Sequence, residues 1–156
     1  MLKNILINVT SVMNLILDET NYDVNCLYFY EAVKNTVMDD SSFIRIVYSN
    51  EDFTLNGIYI KIDIDKNTYS KKSLHQSNKN ELSLAFVDSI EKNIMQRYAS
   101  NKTNVSKIKD QLLYLINKIY TTNIGDVSYI LKISGIWETP ISIGLTFKYI
   151  YLNPKV

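Results

Sequence analysis

A chain of 156 residues with 46% hydrophobic content and a formal net charge of +1 is expected to fold as one domain, burying roughly two thirds of its unfolded surface. This composition argues against disorder and against a global basic field. One cysteine (Cys26) and one histidine (His75) exclude an intrachain disulfide and fall short of an ordinary zinc ligand set. A Cys26–His75 dyad would join an apolar run to a polar loop, a poor arrangement for a nucleophile and its base.

Residues 2–17 mix two periods. Ile5, Ile7 and Val9 recur at strand spacing, while Leu2, Ile5, Val9, Val12 and Ile16 recur at helical spacing; a strand through Val9 is the preferred reading. Asn8, Thr10, Ser11 and Asn14 interrupt this run and no small-residue cleavage site follows, so neither a signal peptide nor a membrane span is expected and the protein is expected to be intracellular and not secreted. The Asn-x-Ser/Thr triplets at Asn8, Asn101 and Asn104 read as chance matches in an Asn-rich chain. Val24, Leu27, Tyr28, Ala32, Val33 and Val37 predict an amphipathic helix over 23–38, stopped by Asp39-Asp40-Ser41-Ser42.

Residues 43–48 form a β-rich run, and Asn50-Glu51-Asp52 is turn chemistry. Asn56-Gly57 fits a hairpin turn or a bulge. Then Ile58, Ile60, Ile62 and Ile64 alternate with Tyr59, Lys61, Asp63 and Asp65, the pattern of a half-solvated antiparallel strand. Residues 65–80 read as a long polar loop carrying Lys66, Lys71, Lys72 and Lys79. Leu82, Ala85, Phe86, Ile90, Ile94 and Tyr98 predict a helix over 81–99. Val105, Ile108, Leu112, Leu115, Ile116 and Ile119 predict another over 105–120, with Asn104 as its N-cap. The order of elements predicts an α+β fold with an antiparallel sheet and two helices in the C-terminal half.

The most distinctive segment is a predicted hairpin over 129–151. Tyr129, Leu131, Ile133, Gly135 and Trp137 are expected on one face of its first strand, and Ile143, Leu145, Phe147, Tyr149 and Tyr151 on one face of its second. Gly135 and Gly144 lie inside strands, where glycine marks a bulge, a bend or a close backbone approach, so the sheet is expected to be strongly bent. Trp137, Phe147 and Tyr149 interleave with Lys132 and Lys148, which suits single-stranded nucleic acid: bases stack on rings and ammonium groups meet phosphates. Burial in the core is the commonest use of such aromatics. In the loop, Lys71, Lys72 and Tyr69 would meet the phosphate backbone, or would be solvated.

Lys132-Ile-Ser-Gly-Ile-Trp-Glu138 followed by Gly144-Leu-Thr-Phe-Lys148 resembles the C-terminal strand pair of single-stranded-DNA-binding replication proteins of large nucleocytoplasmic DNA viruses. The resemblance implies an OB-like β-barrel, here a partial one, and roles in binding for Lys132, Trp137, Phe147 and Lys148. Abundant Lys, Asn, Ile and Tyr, which share AT-rich codons, fit a viral or parasite genome.

Other constellations are weaker. Asp63 and Asp65 share a strand face, but Lys61 and Lys66 flank them and no third acid completes a metal site. Asn123-Ile-Gly-Asp126 lacks phosphate-loop spacing. No catalytic residues, metal or cofactor are expected. Two readings stay open: a non-catalytic single-stranded nucleic-acid-binding protein associated with viral replication, or a small viral structural or assembly subunit. Under the second, the partners are further copies of itself or other viral proteins.

Overall fold

The computed structural model describes residues 16–66 and 79–152. A 3-10 turn (Val24–Cys26) leads into β1 (Leu27–Phe29), β2 (Val33–Lys34), β3 (Ser42–Ser49), β4 (Thr54–Leu55) and β5 (Ile58–Ile64). Helix α1 (Lys79–Tyr98), β6 (Thr103–Val105), helix α2 (Ile108–Tyr120), β7 (Val127–Glu138) and β8 (Ser142–Leu152) follow. The fold is α+β, with a mostly antiparallel sheet.

Strand β7 is the spine. One edge carries β8, paired antiparallel from Ser128↔Leu152 to Glu138↔Ile143. The other edge is shared end to end by β5, from Ile64↔Val127 to Ile58↔Ile133, and by the first half of β3, from Arg45↔Gly135 to Ser42↔Glu138. The second half of β3 leaves β7 and pairs instead with β1 and β4. β3 is thus divided between two sets of partners. β6 adds to β8 in parallel, and the described strands do not close into a barrel.

The period-2 pattern of β5 is realised as written: Ile58, Ile60, Ile62 and Ile64 are all buried. Against them and against Leu131, Ile133 and Ile136 pack Val87, Ile90 and Ile94 of α1 with Ile108, Leu112, Ile116 and Ile119 of α2. Each such side chain contributes about 1.5–3 kcal/mol by leaving water. Both helices therefore cover one face of the sheet. Among the described residues, no helix is long and apolar enough to cross a membrane.

Three expectations are corrected. Residues 23–38 are not a helix. Asp23 Oδ1 accepts the Asn25 N–H at 2.9 Å, which sets a 3-10 turn, and the chain then extends to pair with β3. Of the residues counted as an apolar stripe, Leu27 is buried but Val33 and Val37 are exposed, Val37 to 95%; strand pairing outweighs the helical spacing. The last helix begins at Ile108, not at 105, because Thr103–Val105 adds to the edge of β8. Asn104 is thus a strand residue, and Lys107 stands at the cap position with no side-chain cap. The buried Glu91 of α1 reaches that helix end instead, accepting the Ser106 hydroxyl and the Lys107 N–H. Finally, the hairpin alternative at Asn56-Gly57 is not realised, since β4 pairs with β3 while β5 pairs with β7. Gly57 makes that switch at φ +109°, a backbone region closed to most side chains. The expected turn at Asn50 does form: its Oδ1 accepts the N–H groups of Asp52 and Phe53.

The strand expected through Val9 lies outside the described residues. Leu17 is within them; its N–H donates to Tyr59 O at 2.7 Å and its carbonyl accepts from Lys61 at 3.0 Å, alongside β5.

Candidate nucleic-acid interface

The site is created by a bulge. Ile133 pairs with Phe147, but the next pair is Gly135↔Thr146, so Ser134 is an extra residue on β7. Up to Ile133, odd-numbered residues point inward to the helices. Beyond the bulge the parity reverses: Ile136 is fully buried and Trp137 points outward. The expected single face Tyr129-Leu131-Ile133-Gly135-Trp137 is therefore split, with Gly135 and Trp137 on the side the helices leave bare.

On that outer face the rows across the sheet read in register. One runs Val33, Phe43, Trp137, Gly144 and Val105 through β2, β3, β7, β8 and β6. The next holds Arg45, Gly135 and Thr146. After the bulge comes Tyr59, Lys132 and Lys148, then Lys61, Ile130 and Ile150. The two glycines give the rings their seats. A Cβ at Gly144 would lie 2.6 Å from Trp137 Cε2, and one at Gly135 would lie 2.6 Å from Phe43 Cζ. Each ring rests in the space that a side chain would fill and is half-buried, keeping part of its surface in water.

The charges on this face are uneven. Arg45, Lys61, Lys132 and Lys148 point outward from these strands against the single carboxylate of Asp63. Lys61 pairs with Asp63 at 3.5 Å, and Asp63 also accepts the Ser128 hydroxyl. The other two ion pairs among the described residues, Lys92–Asp88 and Lys102–Glu138, lie elsewhere. Lys132 and Lys148 stand directly opposite each other, an arrangement that destabilises a sheet by itself. The Lys132 ammonium sits 5.4 Å from the centre of the Tyr59 ring, and Arg45 Nη1 donates to Asn56 Oδ1 at 2.8 Å. Cations and rings thus alternate between the rows at Gly144 and Lys148 of β8, roughly 13 Å apart at about 3.3 Å per residue.

The residues singled out from sequence divide. Trp137, Lys132 and Lys148 come together on the outer face. Phe147 and Tyr149 do not join them, because they lie on the opposite face of β8, half-buried beneath the helices. The Tyr149 hydroxyl donates to Ile108 O at 2.9 Å at the start of α2, and burial pushes its pKa well above the usual tyrosine value. The Tyr149 ring contacts both Phe147 and Tyr129 edge to face. Lys71, Lys72, Tyr69 and His75 lie outside the described residues. Phe43, Arg45 and Tyr59 were missed. Tyr59 was legible on the polar side of β5, whereas the place of Phe43 and Arg45 beside Trp137 depends on the β3–β7 register.

At the end of the sheet, a cleft of about 470 Å³ lies between β2 and the β7–β8 turn. Lys102 pairs with Glu138 in its wall at 3.1 Å, and the Tyr98 hydroxyl donates to the same carboxylate at 3.3 Å. Among the described residues, no group of three or more His, Cys, Asp or Glu could hold a metal ion. Comparison with protein-family models, with characterised proteins and with solved structures finds no match for this chain.

Proposed function

We propose that this protein binds single-stranded nucleic acid on the outer face of its sheet and acts without catalysis. The observation that carries the proposal is the seating of Phe43 and Trp137 over Gly135 and Gly144, beside the opposed Lys132 and Lys148. A ring resting on glycine keeps a surface for a base, and stacking is worth about 1–3 kcal/mol per base. Two like charges facing one another gain when a phosphate enters between them. In this reading Trp137, Phe43 and Tyr59 stack, while Lys132, Lys148 and Arg45 meet the backbone. Phe147 and Tyr149 have structural roles. The open, bent sheet is read as a partial OB-like barrel, and the hairpin likeness makes viral replication the setting and the interior of the infected cell the location.

A second reading, a virion or assembly subunit, is favoured by a different observation. Val33, in the wall of the 470 Å³ cleft, and Ile141, next in the chain to its lining residue Pro140, are large apolar side chains left exposed, and exposed apolar patches mark protein contacts. Titration with oligo-dT, followed by Trp137 fluorescence at low and high salt, separates the two. The nucleic-acid reading expects quenching that weakens as salt rises; absence of quenching at micromolar protein in low salt overturns it.

A further inference from the structure

Strand β8 has an edge that the described strands leave open. β6 covers only Ser142, Ile143 and Gly144, and no described strand pairs with the same edge over residues 145–152. A sheet edge of this length presents a row of unpaired N–H and C=O groups, and proteins ordinarily blunt it with proline, a bulge or several charges. Here the run is Leu-Thr-Phe-Lys-Tyr-Ile-Tyr-Leu: strong β-formers, no proline, and one charge, Lys148. Ile150 and Tyr151 within it are 37% and 49% exposed.

We infer that a second copy of this chain pairs with this edge, antiparallel, about a two-fold axis at Tyr149. With a second copy as the partner, the sequence of the edge selects the register. Self-pairing must keep the outer residues of one copy opposite the outer residues of the other, so the axis passes through a residue. An axis at Lys148 would place the two Lys148 ammonium groups face to face. An axis at Ile150 would use only the five residues 148–152. An axis at Tyr149 uses all of 146–152. It sets Lys148 against Ile150 of the second copy on the outer face and Phe147 against Tyr151 on the inner face, a favourable aromatic cross-strand pair. The sheet then continues through the axis, and the Lys132–Lys148 rows of both copies lie on one surface. Edge pairing alone buries less than the roughly 1,600 Å² of a standard interface, so the free dimer is weak. On the nucleic-acid reading, a strand spanning both copies tightens it.

The test is sedimentation velocity on the full chain without nucleic acid, from micromolar to millimolar concentration, so that it stands or falls apart from the binding proposal. Wild type is expected to pass from monomer to dimer as concentration rises; a monomer throughout overturns the inference. Ile150→Lys sets lysine against Lys148 of the second copy twice per dimer and is expected to weaken association about tenfold. Ile150→Glu sets a carboxylate there and is expected to associate at least as tightly as wild type. Equal weakening by both variants, each folded by circular dichroism, overturns the register. Trp137→Ala is expected to leave the dimer unchanged.

Discussion

The two faces of the β7–β8 hairpin hold similar residues under opposite conditions. On the inner face the Tyr149 ring touches both Tyr129 and Phe147 edge to face, and its hydroxyl is committed to the backbone of α2. On the outer face Phe43 and Trp137 rest on glycines, beside cations that lack acidic partners among the described residues. An aromatic ring is fixed by what lies on both of its sides, so the inner rings belong to stability. The outer rings have one side supplied by the protein and one side open. The difference between core and interface is made by neighbours, since the residue types are shared.

That contrast can be broken or sharpened in order of effect. Leu131→Ala empties a fully buried site on the inner face and is expected to cost about 2–5 kcal/mol in chemical denaturation. The folded fraction should keep its affinity for oligo-dT; a lost affinity would mean that the faces are not separable. Trp137→Ala reverses the pattern. Its melting temperature should change little, while affinity falls by roughly 5- to 150-fold, the equivalent of one stacked base, as read by fluorescence anisotropy of a labelled oligonucleotide. Lys148→Ala should lower the slope of log affinity against log salt by about 0.7, one phosphate contact on a single strand. It should also stabilise the free protein slightly, by about 0.2–1 kcal/mol, because the opposed Lys132 loses a like charge. A destabilised variant would contradict the view that the pair is held for a ligand.

The smallest effect concerns the inner side alone. Glu91 is buried with one carboxylate oxygen unpartnered, and desolvation raises its pKa against the opposing pull of Ser106 and the Lys107 N–H. A raised carboxyl pKa means that the folded chain holds the proton more tightly than the unfolded chain. The resulting stabilisation is complete below the ordinary glutamate range and is lost as pH rises through the raised value. Melting temperatures compared over that window should show this pH dependence in wild type and a flatter profile in Glu91→Gln. Binding of oligo-dT should be unaffected.

Much of the fold was legible because it is locally determined. The alternation of Ile58 to Ile64 could only be a half-buried strand, and the stripe of α2 matched the face it buries. In α1 the match was partial: Ile90 and Ile94 are buried as expected, but so are Val87 and Glu91, while Leu82 and Ala85 are exposed. The other failures were matters of distant pairing. Val24 to Val37 happen to recur at helical spacing, yet β3 offers that segment backbone partners, and Val33 and Val37 stay exposed. Thr103–Val105 is a strand only because β8 has an edge to receive it. Of the site, the glycines and the Trp137–Lys132–Lys148 set were readable. Phe43 and Arg45 were not, since nothing near them in the chain announces that β3 will lie beside Trp137.

Ser134 has one consequence beyond bending the strand. It lets β7 hold one residue more than its partners, and register decides which faces follow. A one-residue slip that closed the bulge, pairing Ser134 with Thr146, would turn Trp137 towards the helices and Ile136 towards solvent. Deleting Ser134 would not, because Gly135 would then follow Ile133 directly, with Ile136 still inward and Trp137 still outward. What keeps the indole in water is therefore the register of the ladder and not the side chain at position 134.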